Sequence, residues 1–351
     1  MTTPSPPLRS DAAVTPGERR ARRSRRRAPS PRRALALWIA GLVLTLLGFV
    51  GVVLLANSTI YSASGFVDRY LDAIERRDLA TLLETPGVDI PTGTDEQALV
   101  RAALRPVDSA NVVGTSPGAD GGTAVEVEWA DGDQTGTLRF DVAPAPAIGG
   151  IFTDWRFASS PVQSVAVELL HAADLRVNGV DVTPVPAGDG APIGLAAFAP
   201  SRLVLDHDSR YLTAEPVTVV AGGATDPAVV DVQANTAFVD TVQSELDGFL
   251  DTCAEQEVLL PAGCPFGTFV ENRLVNPPAW QIVDYPVVAV EPGTEAGVWH
   301  VPPTPGTARV TAEVISLFDG SRSALDESVP FQVEYRIEID AGGALRIIGD
   351  S

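Results

Sequence analysis

One run dominates the hydrophobic pattern of the chain: ALALWIAGLVLTLLGFVGVVLLA, residues 34–56, carries no charged side chain. As a helix rising about 1.5 Å per residue it reaches about 34 Å, enough for a hydrocarbon core of about 30 Å. The run predicts a transmembrane helix. A cleaved signal peptide is the competing reading, but its apolar stretch usually runs about 7–15 residues and its basic head is shorter. Arg32–Arg33 resembles a twin-arginine signal, yet the span is too long and no clear small-residue cleavage site follows.

Beyond the span the period alternates between helical and extended. In SASGFVDRYLDAIERRDLATLLE, Phe66, Tyr70 and Ile74 recur every four residues, with Val67 and Leu71 on the same stripe. Asp78 is placed to cap a short second helix through Leu79, Leu82 and Leu83. TDEQALVRAALRP predicts a third, opened by a Thr94–Gln97 capping box and stopped by Pro106. Strand alternation follows, with Val125, Val127 and Trp129 on one face, a turn at Asp131–Gly132 and a last strand in IFTDWRFAS. Residues 62–159 therefore read as an α+β domain.

Residues 160–235 show no helical stripe and predict a small all-β, sandwich-like module. DLRVNGVDV is a hairpin, Asn178–Gly179 supplying the positive φ angles of a type I′ turn. PVPAGDGAPIG is a loop, and SRLVLD, PVTVVAGG and AVVDVQA are short strands. From Thr236 the helical period returns, with Phe238, Val242, Leu246, Phe249, Leu250 and Cys253 on one face. Long strands WQIVDYPVVAVE, TARVTAEVISLFDG and SVPFQVEYRIEIDAGGALRIIG follow, with turns at Asp319–Gly320 and Gly342–Gly343. Residues 236–351 are thus a second α+β domain. Phe-Val-Asp opens both helical stretches, at 66–68 and 238–240, and suggests a duplication that differing strand orders would reject.

Charge sharpens this layout. The net −20 joins two opposite halves: residues 1–34 carry ten Arg against Asp11 and Glu18, residues 35–351 carry 15 Arg against 43 acids. Basic flanks stay cytoplasmic, so the amino terminus is expected inside a cell membrane, crossed once, and residues 57–351 outside. The Pro- and Ser-containing tail, residues 1–33, predicts disorder. Its Arg25, Arg26, Arg27, Arg32 and Arg33 are candidates for contact with anionic lipid, at about 1 kcal/mol each near the surface. No aromatic residue interleaves with them, so nucleic acid is not an expected partner. The external acid excess keeps such a domain soluble; binding cations or repelling anionic wall polymers are the alternatives. All 25 basic residues are Arg, and the absence of Lys excludes Schiff-base lysines, the P-loop, the kinase lysine and SxxK hydrolases.

Candidate chemistry is sparse. GTSPG, Gly114 to Gly118, fits G-x-S-x-G, but Pro117 and GADGG put Ser116 in a hairpin loop instead of a strand-to-helix elbow. His171, His207 and His300 form no zinc spacing, so neither a metal nor a cofactor is expected. In Asp206–His207–Asp208 the acids share a face opposite the histidine, and a solvated turn before Tyr211 accounts for the group. Calcium-loop spacing is absent there. The two cysteines, Cys253 and Cys264, lie ten residues apart, against two in a redox motif, and no second pair completes a zinc site. Outside the membrane their expected state is a disulfide, with Pro261–Ala262–Gly263 folding Cys264 back to the helix end.

A basic head, one span, a helical–β region, an R-V-N-G hairpin at 176–179 and a terminal helix-plus-sheet domain together resemble the teicoplanin-resistance-associated family of bacterial envelope proteins. The four-cysteine zinc ribbon often found before the span in that family is missing. The resemblance implies an NTF2-like terminal domain, a cone of helix on sheet, and binding within the envelope. It supplies no catalytic residues. The expectation is a membrane-anchored α+β protein whose NTF2-like domains flank the β module, binding or scaffolding envelope proteins or wall polymers. An envelope enzyme acting on wall or lipid material, with residues unidentified, is the alternative, and a structural subunit of a membrane complex is a third.

Overall fold

The computed structural model describes residues 31–148, 152–185, 191–223, 226–340 and 342–349. Helix α1, Pro31–Ser58, contains a 24-residue apolar stretch from Leu35 with mean hydropathy 2.7, none of whose apolar window is buried in protein. By length and composition it is able to cross a membrane; an anchor and a signal sequence share these properties. Arg32 is exposed at its start, Arg33 lies in its first turns, and Arg25, Arg26 and Arg27 fall outside the described residues.

Residues 56–351 form one contact-connected unit. It opens on α2, Ala63–Glu75, capped by Ser62 and burying Phe66, Val67, Tyr70, Leu71 and Ile74 as the stripe requires. Asp78 caps α3, Leu79–Glu84, by accepting the Thr81 N–H. The expected third helix does not form. Its backbone is claimed by strands: the Asp95 N–H donates to the Gly194 carbonyl, and the Asp95 carbonyl accepts from Ala196. Only isolated turns remain between Glu96 and Leu104, and the Thr94 hydroxyl bonds back to Pro91 instead of capping. A four-stranded antiparallel meander follows: β1 (Ser109–Pro117), β2 (Thr123–Asp131), β3 (Gln134–Ile148) and β4 (Phe152–Phe157). Tyr70, Phe140 and Phe157 fill the space between α2 and this sheet.

The middle region is all strand. A three-stranded sheet has β5 (Val162–Leu170) at its centre, between β8 (Ile193–Phe198) and the parallel β11 (Ala228–Asp231). The other sheet runs β12 (Gln233–Ala234), β10 (Leu212–Val220), β9 (Arg202–Asp208), β6 (Leu175–Val177), β7 (Val180–Val182). Asn178 and Gly179 turn β6 into β7 at φ 52° and 82°. The Asn178 amide also donates to the Ala103 and Arg202 carbonyls, at 2.5 and 2.8 Å, and accepts the Val204 N–H at 2.9 Å. One side chain thereby holds the turn, β9 and the non-helical segment before β1.

The final region starts with α4, Thr236–Ala254, followed by short β13 (Arg273–Leu274), β14 (Ala279–Asp284) and β15 (Glu291–Pro292). All three pair with β16 (Val298–Ile315), which pairs in turn with β17 (Arg322–Ile339), and that with β18 (Leu345–Gly349). The long strand expected from Trp280 to Glu291 is broken after Asp284. β16 begins earlier than its Val/Thr pattern suggests, and a bulge opposite Val333–Tyr335 takes up Pro302 and Pro303. One hydrophobic core runs through the middle and final regions around the fully buried Trp299. The observed class is α+β with mostly antiparallel sheets. Both helix-plus-sheet regions share the strand order of a meander, so the test set for duplication does not reject it.

Replacing Asn178 by Ala leaves three backbone groups short of a partner, at about 1 kcal/mol each. Urea denaturation of the purified chain is expected to show a loss of about 2–4 kcal/mol. Asn178→Gly, which tolerates the positive φ, is expected to recover only the smaller backbone part.

Candidate functional site

The most developed cavity, about 700 Å³, lies between α4 and the edge of the last sheet. That volume is in the range of small-ligand sites, about 300–1,000 Å³. One wall is Val242, Glu245, Leu246 and Phe249, the i, i+3, i+4, i+7 set of a single helix face. The other is β17 from Gln332 to Tyr335 with Ile347 and Gly349 of β18; Gly263, Cys264 and Pro265 close one end. Phe249, expected in the core, is instead 40% exposed, because its face of α4 looks into this groove. Burial pushes the Tyr335 phenol above its ordinary pKa, so it stays protonated as a donor, and it bonds to none of the other described residues.

Three restraints hold the helical wall. At its start, Asn235 caps α4 by accepting the Phe238 N–H, while its amide donates to the Ser209 and Arg210 carbonyls. Midway, the Gln243 amide donates to the Pro286 carbonyl and accepts the Val288 N–H. At its end, Cys253 is bonded to Cys264 with Cα atoms 5.8 Å apart, which places both expected cysteines in a disulfide at the closed end of the groove. Gln256 reinforces that loop through the Ala262 N–H. Tyr285 donates to Asp251 in a short hydrogen bond, which with its carboxylate surroundings raises the phenol to about pKa 12.

The other sequence candidates fall away from this groove. Ser116 lies within β1, not in a loop, and a three-residue 3₁₀ turn follows in place of the helix an elbow needs. His207 is in β9, not in a solvated turn, and is only 4% exposed. Its Nδ1 faces the Asp174 carbonyl at 3.0 Å, which requires the proton there, and its Nε2 meets Ser209 Oγ at 3.2 Å. Ser209 Oγ also accepts the Leu212 N–H, so this set ties down the β9–β10 turn. Asp206 and Asp208 share the opposite face, as expected, and both pair with Arg176 of the R-V-N-G hairpin. Among the described residues no group of three His, Cys, Asp or Glu is arranged to hold a metal. The groove itself was not legible in sequence, because Val242 and Leu246 read as ordinary core; the one usable signal was a large aromatic, Phe249, beside Leu250 on a helix already fully striped.

Comparison with protein-family models, with curated proteins and with solved structures returns no significant match for this chain.

Two measurements test how the wall is held. Closing a loop of this length stabilises by about 3 kcal/mol in the chain-entropy model. Reduction and the Cys253→Ala/Cys264→Ala variant are both expected to lower the denaturation free energy by that amount; an unchanged midpoint would remove the staple. Because the folded state raises the Tyr285 pKa, its bond to Asp251 stabilises fully below about pH 10 and fades as pH rises toward about 12. Ultraviolet titration is expected to show late-titrating tyrosinates, since burial also raises Tyr70 and Tyr335, of which the Tyr285 component alone moves to lower pH in Asp251→Asn.

Proposed function

We propose that this is a single-pass, amino-terminus-inside membrane protein of the bacterial envelope whose external region binds a ligand or partner in the groove between α4 and β17–β18. The observation that carries the reading is the groove: a helix face turned toward a long antiparallel sheet, with Phe249 and Ile347 left exposed beside the buried Val242 and Leu246, and the helix held by a disulfide and by Gln243. Exposed apolar side chains gathered at a concavity mark an interaction site. The charge split across α1 supports the orientation, since ten Arg precede the span. The helix-on-sheet layout supports an NTF2-like domain, and with the R-V-N-G hairpin it supports kinship with the teicoplanin-resistance-associated family. Binding is favoured over catalysis because the lining holds neither a histidine nor a serine. Presentation is then the mechanism: α1 anchors, the β module spaces, and the last region offers the groove.

Photo-crosslinking in intact cells tests this. A benzoylphenylalanine at Phe249 is expected to give discrete envelope adducts, absent from the same probe at exposed Val229 of β11. Equal labelling from both positions, or none from 249, would sink the reading.

A further inference from the structure

The β3–β4 ribbon outruns the sheet it belongs to. β2 meets β3 last at Val142, opposite Thr123, and from Ala143 to Ile148 the ladder partner of β3 among the described residues is β4 alone. Over that stretch the strand is only Ala, Pro and Ile, and Phe152 and Thr153 of β4 carry no charge either. Pro144 and Pro146 are exposed and have no N–H to offer another strand. A two-stranded ribbon is marginal in water and gains stability from a surface to lie on.

That arm is tied to the end of the apolar run. Asn57, the next residue after the run, accepts the Thr153 N–H on its side-chain oxygen at 3.1 Å. Tyr61 stacks on Phe152 with ring centroids 4.6 Å apart, and its carbonyl accepts the Trp155 indole N–H at 3.0 Å. Ile60, just before Tyr61, is 61% exposed. Adjacent Cα atoms lie about 3.8 Å apart, so Thr153 stands only one residue and one side chain from the last apolar position, Ala56. A span that ends at Ala56 therefore brings the arm to the level of the headgroups. That level suits it, because Tyr and Trp collect at membrane–water interfaces. Arg69 donates to the Ile60 carbonyl at 2.5 Å and Arg156 is exposed beside Trp155, and long arginine stems carry their charge to the phosphates. Asp154, the acid between Thr153 and Trp155, turns back to accept the Trp155 N–H at 3.0 Å.

We propose that the β3–β4 arm lies in the headgroup layer of the external leaflet, a second membrane contact beside the span. Phe152, Tyr61, Trp155 and Ile60 are its interfacial anchors, and the lipid surface is the support that a two-stranded ribbon lacks in water. This rests on the reading of α1 as an uncleaved anchor. The first region then stands on the bilayer instead of swinging from a single helix.

The test uses the full chain in phosphatidylcholine nanodiscs, its disulfide intact, with one added cysteine carrying an NBD fluorophore. Pro146→Cys places the probe on the arm, and Val229→Cys places it on exposed β11 for comparison. Phosphatidylcholine spin-labelled at the headgroup is expected to quench the probe at 146 at least about threefold more than the probe at 229. Phe152→Ser is expected to lower the quenching at 146 by about half, and Phe152→Trp to keep it, since an interfacial anchor is needed there and not phenylalanine itself. Quenching at 146 no greater than at 229 overturns the proposal. A probe at 146 shielded from aqueous iodide yet untouched by the spin-labelled lipid would put protein against the arm and overturn it as well. A chain that enters nanodiscs with 146 unquenched defeats the arm contact alone; a chain that fails to enter them defeats the anchor reading too.

Discussion

Everything at the groove depends on where α4 is placed, and Asn235 fixes that. Its side chain satisfies the Phe238 N–H at the open end of the helix, its amide reaches two carbonyls of the β9–β10 turn, and its own N–H donates to Tyr211. A capping residue usually serves only its own helix. Here it also bolts the helix to the middle sheet. Phe238 then enters the shared core between Tyr211 and Trp299, with ring centroids 5.4 and 5.7 Å away. With the first turn committed, the direction of the remaining residues is set, and Gln243, Tyr285 and the disulfide have only to prevent departure.

The middle module is therefore more than a spacer. Its R-V-N-G hairpin is a junction in physical terms: Arg176 holds two aspartates of β9, Val177 is buried, Asn178 binds three backbone groups, and Gly179 takes the positive φ that completes the turn. Arg202, next in the same sheet, reaches Asp108 and buried Asp131 of the first region at 3.0 and 3.1 Å; the Asp131 contact is an ion pair made off the hydrogen-bond direction. These ties run through the segment 95–107, which has a good helical sequence and no helix. Ala98, Ala103, Leu104 and Val107 are buried there, while neighbouring strands bond the backbones of Asp95 and Arg105. Tertiary demand outweighed local propensity there.

That exchange explains what was legible in the sequence and what was not. Period and capping located α1, α2, α3 and α4, because each has a stripe and, in three of them, a Ser, Asp or Asn at its cap. Asn178–Gly179 located its turn, since few residues accept those φ angles. The cysteine pair was readable because ten intervening residues with Pro and Gly can close on themselves. What failed were features with no local signature. The break after Asp284 follows from Tyr285 and Pro286 turning aside to meet Asp251 and Gln243 on α4. The burial of His207 follows from Asp174, 33 residues away. The groove needed both a helix and a facing sheet from a distant part of the chain, and neither half announces it alone.

A comparison of the two helix-plus-sheet regions shows why only one of them is open. Aligning the Phe-Val-Asp triplets sets Phe66 against Phe238, Tyr70 against Val242, Ile74 against Leu246 and Arg77 against Phe249. In the first region Tyr70 and Phe66 meet Phe157 of the last strand at 5.1 and 5.0 Å, so aromatic rings occupy the space beneath the helix. Past that strand, the Ala158 N–H donates to Asp141 and continues to cover the sheet edge. In the second region the residue at the Tyr70 position is a valine, and the last strand carries Ile347 and Gly349 instead of a phenylalanine. Smaller side chains there leave a cavity, because closely packed neighbours held by a cap, an amide clamp and a disulfide cannot collapse to fill it. The second region thus has a filled aromatic core of its own, around Phe238, Trp299, Phe266 and Phe331, and a groove beside it where Phe249 and Ile347 stay exposed.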